Sequence, residues 1–472
     1  MIVQPLNSVG VTLVRQPWVG QDLLPLHRQV PQRYQQLLES VAKSDATLVD
    51  SAALGRFDIL FAYCEAPLRL DVLEQATRFR HNFEQAWLSE QRQLSKVDRE
   101  LLADLPFWGG WFGYFAYEYA AVIEPSLKLS ISDLPLAWLA KAPAAIILDH
   151  AKHEVIFVAP TDQPAMLAQL HADYAELSAQ TQTPQPSTQL VAGAWQEDPP
   201  ARYTDSVLKI RDYILAGDVF QVNISRLWQQ AQVDFTPAEL YAQLRVHNPA
   251  PFACLVNLDQ ANGQTWSIIS SSPERLVRVR DQWVDTRPIA GTRKRSDSLA
   301  ADQALMAELI AHPKERAEHI MLIDLERNDL GRICQPGSVE VNELMVIESY
   351  QHVHHIVSNV RGKLQAKLTP LQVIEAMFPG GTITGCPKVR CMEIIAELEM
   401  SPREAYTGSV GYINYDGSMD FNILIRSFIQ QGQTLRFRAG AGIVIDSDPD
   451  AELAETRHKA KGLLKALSPH EC

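Results

Sequence analysis

Apolar positions along this chain change period several times, and the changes mark out its elements. Tyr203 to Ala216 and Leu299 to Ala311 carry apolar residues three and four apart, the spacing of helices that bury one face. Phe57 to Ala62, Phe252 to Asn257 and Trp266 to Ser270 read as short strands. The string FWGGWFGYFAYEY, Phe107 to Tyr119, mixes glycines with aromatics, which suits strands packed closely together. Further on, Tyr406 to Tyr415 alternates, Asp416-Gly417 is a hairpin turn, and Phe421 to Gln430 is expected to return as one strand. Ser447-Asp448-Pro449-Asp450 reads as a cap with an early proline, launching a helix to about Leu467. Irregularly interleaved helices and strands predict an α+β fold with much antiparallel sheet.

Ala179 to Ala194 is rich in Gln, Thr, Ser and Pro and reads as a surface linker. It divides an N-terminal region, 1–178, from a region 201–468, with 179–200 joining them. A chain of 472 residues has room for two or three packing units at about 150 residues each. The 46% apolar and 21% charged content is that of an ordinary globular protein. A net charge of −13 argues against nucleic acid or an anionic membrane as partner, so an anionic substrate would need local cations. With no signal-like start and no long uncharged apolar stretch, a cytoplasmic location is expected. The six cysteines lack zinc spacing, and Cys386 reads as a packed thiol rather than a nucleophile.

Candidate chemistry gathers in the second region. Glu315 and Glu318 lie three apart on a helical stretch, as do Glu452 and Glu455, so each pair can share a helix face. If the pairs met, they would form an oxygen-only site suited to Mg²⁺; spacing alone favours solvated helix faces. The string Gly380-Gly381-Thr382-Ile383-Thr384-Gly385 and the string Gly440-Ala441-Gly442 allow backbone amides to approach an anion closely, or make tight turns. Arg426 falls on an apolar run, NILIRSF, where a cation is costly unless an anion pairs with it. Tyr406, Lys459 and His355 gain meaning only if the fold brings them near Arg426 and the glutamates.

Seven strings in order resemble one family: SPERL from Ser272, RPIAGTR from Arg287, AEHIMLIDLERNDLGRIC from Ala317, HHIVSNVRG from His354, FPGGTITGCPKVRCMEII from Phe378, YTGSVGY from Tyr406 and AGAGIVIDSDPDAELAETRHKA from Ala439. The family is the chorismate-utilising enzymes, among them anthranilate, aminodeoxychorismate, isochorismate and salicylate synthases. The resemblance implies large, mostly antiparallel sheets sandwiched with helices outside and the active site between two subdomains. It implies Mg²⁺ on Glu318 and Glu455, with Glu315 and Glu452 in support. Tyr406, Arg426, Lys459, Thr384 and the Gly440, Ala441 and Gly442 edge would hold the substrate, with Gly291 and Thr292 along its ring. Glu274 would be the general acid that protonates the departing C4 hydroxyl, and His355 would assist or orient that hydroxyl.

Isochorismate and salicylate synthases activate water with a lysine where this chain has Gln221, so ammonia is the expected nucleophile. QVNIS, NPAPF, FPGGTITG, and RFDIL soon after LLES resemble the branch that makes 4-amino-4-deoxychorismate for 4-aminobenzoate and folate. Many members of that branch carry a nucleophilic lysine at the position held here by Ala290, which leaves anthranilate synthase component I as the alternative. A non-catalytic, tryptophan-sensing subunit is a third reading, disfavoured by the full carboxylate set. No glutaminase region is seen, so ammonia is expected from a separate glutamine amidotransferase subunit. Ser40, Arg56, Phe57 and the segment Pro251, Phe252, Ala253 resemble the family's tryptophan pocket, so bound L-tryptophan is a further expectation.

Overall fold

The computed structural model describes residues 2–6, 9–41, 55–179, 190, 193–350 and 353–467. Most of the expected linker therefore lies outside the described residues. Two antiparallel sheets carry the fold, and each draws strands from both sides of that segment. The larger has thirteen strands: its N-terminal half ends on Gln36–Glu39, which pairs with Phe252–Asp259 of the second half. Beyond lie Thr265–Ser272, Ser427–Gln431, Thr434–Ile443 and Gln221–Gln230. The ten-stranded sheet joins Gly110–Phe115 to Ser409–Asn414 and runs out to Val353–Lys363 and Ile289–Lys294.

The glycine-aromatic string explains how the sheets meet. All six residues of Gly110–Phe115 are buried, and successive side chains point to opposite faces. Phe112 packs edge-on to Phe61 and Tyr114 to Trp266, both on the larger sheet, with ring centroids 5.4 and 5.3 Å apart. On the other face Trp111 meets Phe83 of the Ala76–Glu90 helix. Rings at such separations and tilts add to the burial of their area. A strand covered on both faces has no polar side, which is why Phe57–Ala62, read from the sequence as a short strand, is buried at five successive positions.

Expected helices appear as Pro200–Leu215 and Leu299–Ala311. The last helix, Pro449–Leu464, starts at Asp448, whose carboxylate accepts from the Ala451 amide, and ends three residues short of expectation. One strand reading needs correction. Ser409–Asn414 and Met419–Asn422 form the hairpin, but the return does not continue to Gln430. The chain leaves the smaller sheet after Asn422 and enters the larger one at Ser427. Arg426 stands at this crossover with φ +52°, in the left-handed region rather than on a strand. Apolar residues on both sides of the jump give it the hydropathy of a continuous strand.

Candidate active site

A cavity of about 240 Å³ opens where the two sheets come together. Gln221–Gln230 and Thr434–Ile443 wall it from the larger sheet, Ile289–Lys294 and Val353–Lys363 from the smaller. The helices Pro313–Gly331 and Pro449–Leu464 both reach it, through Glu318 and Lys459. Of the expected residues, Glu274, Ala290, Gly291, Thr292, Glu318, His355, Tyr406, Arg426, Gly440, Gly442 and Lys459 line it.

Glu274 is 5% exposed, and its Oε1 has no hydrogen-bond partner. Burial raises its carboxyl to about 7, although the Thr382 hydroxyl, the Ile289 amide and Arg426 offset part of the rise. The group therefore keeps a proton at pH values where an ordinary glutamate has lost it. His355 behaves in the opposite sense: burial, reinforced by Arg426, lowers it to about 4, so the ring is neutral. Its Nδ1 lies 2.9 Å from Thr292 Oγ1 and 3.3 Å from the Gly291 carbonyl. Donation to that carbonyl assigns the proton to Nδ1 and leaves Nε2 an acceptor, able to orient a hydroxyl but not to protonate it.

Arg426 brings a buried positive charge to the cavity. Its guanidinium has no ion pair or hydrogen bond among the described residues; burial depresses its pKa and Glu274 restores only part. Tyr406, raised by burial to about 12, stays a hydroxyl, and a Cβ on Gly440 would stand 2.9 Å from its oxygen. A Cβ on Gly442 would stand 2.2 Å from Gln221 Nε2, so side chains are excluded from this edge. Lys459 ties the last helix to the same edge by donating to the Gly440 carbonyl at 2.9 Å. Gly291, at φ +70°, forms the bulge that breaks register between Ala290 and Thr292.

Two of the residues expected to hold the substrate do not face the cavity. Thr384 is fully buried, its hydroxyl donating to the Gly380 carbonyl at 3.0 Å, and Thr382 lines the wall instead. The 3₁₀ turn Gly381–Ile383 determines which threonine turns inward, and the string GGTITG does not reveal it. Ala441 packs into the core on the far side of its strand, with Ile224 and Ile395, because neighbouring residues of a strand face opposite ways. Sequence reading missed Arg438, which also lines the cavity. Glu399 anchors it: burial would raise that carboxyl, but Arg403 and Arg438 outweigh it and hold it low. Arg438 lies within the Thr434–Ile443 strand and Arg403 in the turn after the Lys388–Glu399 helix, and neither position signals this pairing.

The four glutamates are divided. Glu318 faces the cavity and accepts from Gln221 Nε2 at 2.9 Å; its carboxyl is raised chiefly by burial. Glu315 lies behind Gly291 and pairs with Arg293 at 3.3 Å. Glu455 lies 3.6 Å from Lys459, and Glu452 accepts from Ser447 Oγ at 2.7 Å. Among the described residues no three acidic, histidine or cysteine side chains stand close enough to hold a metal ion. The oxygen donors suit a hard cation in kind. As they stand, hydrogen bonds and lysine occupy them separately.

A second cavity, about 90 Å³, collects five of the six residues expected of a tryptophan-type pocket: Ser40, Phe57, Pro251, Phe252 and Ala253. Arg56 is the exception. It pairs with Asp149 at 2.8 Å and its guanidinium covers the Phe57 ring, 4.6 Å from the centroid. Arg275, buried and held by Asp420, closes the floor.

A buried carboxyl with a raised pKa, a guanidinium without an ion pair among the described residues and a glycine-edged wall meet around one cavity, a setting suited to holding a small anion. The chain belongs to the chorismate binding enzyme family, which it matches over residues 45–465. It is 42% identical over 367 residues to an anthranilate synthase component I-like protein of Synechocystis, covering 77% of this chain and 73% of that one. It is 43% identical over 376 residues to aminodeoxychorismate synthase component 1 of Bacillus subtilis, covering 77% and 78%. The crystal structure of anthranilate synthase component I from Streptococcus pneumoniae superimposes with a TM-score of 0.71 at 30% identity, covering 86% of this chain and 92% of that one. Among the described residues no helix is long and apolar enough to cross a membrane.

Proposed function

We propose that this enzyme aminates chorismate with ammonia to give 4-amino-4-deoxychorismate, the precursor of 4-aminobenzoate and folate. The observation that carries the acid chemistry is Glu274, buried and protonated near neutral pH beside an unpaired Arg426. Gln221 on the cavity wall, in place of a base, favours ammonia over activated water. Arg426 and Lys459 offer cations for the two substrate carboxylates, and the Gly440–Gly442 edge offers backbone close to them. His355 Nε2 accepts from the C4 hydroxyl and turns it toward Glu274. Glu274 gives that hydroxyl its proton, the C–O bond breaks and water leaves while a first small nucleophile adds at C2; ammonia then adds at C4 as that nucleophile leaves C2, which puts the amino group at C4.

Mg²⁺ would be held by Glu318 and Glu455, with Glu315 and Glu452 in support, once Gln221 and Lys459 release them. Bound there, it would neutralise the ring carboxylate and the acidic cluster. Ammonia is delivered by a separate glutamine amidotransferase subunit, and the second cavity takes L-tryptophan.

Ala290 favours a second reading. It lines the cavity and has no nucleophile, so amination directly at C2, as in anthranilate synthase, is the competing outcome. Incubation with chorismate, Mg²⁺ and ammonium, followed by an aminodeoxychorismate lyase, is expected to yield 4-aminobenzoate. Fluorescent anthranilate formed without lyase would reassign the product to the second reading, and unconsumed chorismate would refute catalysis altogether. Ala290→Lys is expected to gain a covalent substrate adduct visible by intact mass. Absence of the adduct in an active variant would show that this position does not face C2.

A further inference from the structure

Arg403 lies behind the cavity wall, and none of the chemistry above uses it. Its guanidinium is buried, and all five of its N–H groups are spent on the protein. Nε and Nη2 donate to the two oxygens of Glu399 at 3.0 and 2.6 Å. Nη2 also donates to the Asn223 carbonyl at 2.8 Å, and Nη1 to the Ile383 carbonyl at 3.2 Å and the Thr407 hydroxyl at 3.4 Å. The same cation stands 4.8 Å from the centroid of the Tyr117 ring and 5.5 Å from that of Tyr406. Asn223, Ile383 and Tyr406 all line the cavity, so one side chain fixes three separate parts of its wall. With no donor left over, Arg403 cannot grip a ligand itself and acts through what it holds.

Glu399 joins Arg403 to Arg438, which donates to Glu399 Oε2 and to Ser225 Oγ, both at 2.9 Å, and to Ser401 Oγ at 3.1 Å. Two buried arginines thus share one carboxylate, which leaves one positive charge in excess. The neighbouring acids do not balance it. Glu404 is taken by Arg436 at 2.6 Å. Glu118 accepts from the Arg403 and Glu404 amides at 2.6 and 3.0 Å, and burial raises it to about 8, so it is neutral at pH 7. Arg202, donating to the Leu398 carbonyl at 3.1 Å, brings a further cation nearby. A buried charge without a counterion is costly to the unliganded protein, and an anion in the adjoining cavity offsets that cost.

We propose that Arg403 is a positioning residue which, with Glu399 and Arg438, forms a fixed and singly positive triad behind the wall lined by Tyr406, and that the carboxylates of the substrate neutralise it. The inference rests on chorismate, a dianion, occupying this cavity. Arg426 and Lys459 meet the substrate directly. Arg403 instead holds the Tyr406 ring and the backbone of Asn223 and Ile383 in place, and adds attraction from behind them. Its effect therefore falls on binding rather than on proton transfer from Glu274.

Steady-state kinetics of chorismate consumption by the full chain with Mg²⁺ and ammonium test this whichever product forms. Arg403→Gln and Arg403→Lys both lose the planar fork, but only lysine keeps the charge and its attraction for the Tyr406 ring. In Arg403→Gln, KM is expected to rise about tenfold with kcat within about threefold of the parent. Arg403→Lys should hold KM within about threefold of the parent, although it melts at a lower temperature. An equal rise in KM for both variants would show that the charge plays no part and overturn the proposal. So would an unchanged KM beside a lowered melting temperature, or a loss confined to kcat. Should Arg403→Gln fail to fold, Arg438→Gln and Arg438→Lys remove and keep the other positive charge of the triad, and the same split is expected. Failure of the parent to consume chorismate would instead remove the reading on which the proposal depends.

Discussion

Glu274→Gln is expected to lower kcat by about 10²- to 10⁴-fold while leaving the KM for chorismate within a few-fold of the parent. The amide fills the same space but cannot give up a proton, and hydroxide leaves poorly without one. The parent's kcat/KM should be highest below pH 7 and fall as pH rises through about 7, where Glu274 of the free enzyme loses its proton. The variant should lack that limb. Stability supplies an independent check. Because the folded carboxyl titrates near 7 rather than at 4.5, its protonated form favours folding at low pH. That contribution is lost as pH rises from about 4.5 through 7, and a permanently neutral amide avoids the loss. At pH 8 the variant should therefore melt at the same temperature as the parent or higher. A pH profile unchanged by the substitution would remove Glu274 from the acid role.

Arg426→Met should separate binding from stability in the opposite way. The guanidinium is desolvated, and among the described residues no anion pairs with it, so the unliganded protein bears its cost. Methionine fills a similar volume without that cost, and the left-handed backbone at this position is the same for either side chain. The variant is expected to melt no lower than the parent, whereas KM for chorismate rises by about 100-fold. That is the loss expected when a charge-assisted bond to a buried carboxylate is removed. Calorimetry of the two proteins with and without chorismate measures both effects. A lowered melting point with unchanged KM would mean that Arg426 serves the fold and not the substrate.

What was readable in advance differs from residue to residue for physical reasons. Helix periods and the Asp448 cap are local, fixed by residues within one or two turns, and those elements appear where the spacing puts them. The crossover at 423–426 was not readable, because hydropathy records burial and cannot tell one sheet from the next. Thr382 and Thr384 sit two apart in one short string, and only the turn decides which faces the cavity. Glu399 resembles any glutamate near a helix end until Arg403, four residues on, and Arg438, from a distant strand, enclose it.

The sequence by itself determined the family, the helices, most strands and many of the residues that meet in the cavity, since motifs and periods are properties of neighbours along the chain. The tertiary structure alone decided protonation: which carboxyl loses water and keeps its proton, which arginine stays unpaired, which histidine becomes neutral. Those properties depend on solvent exclusion and on charges from strands and helices far apart in the chain. No local pattern encodes them.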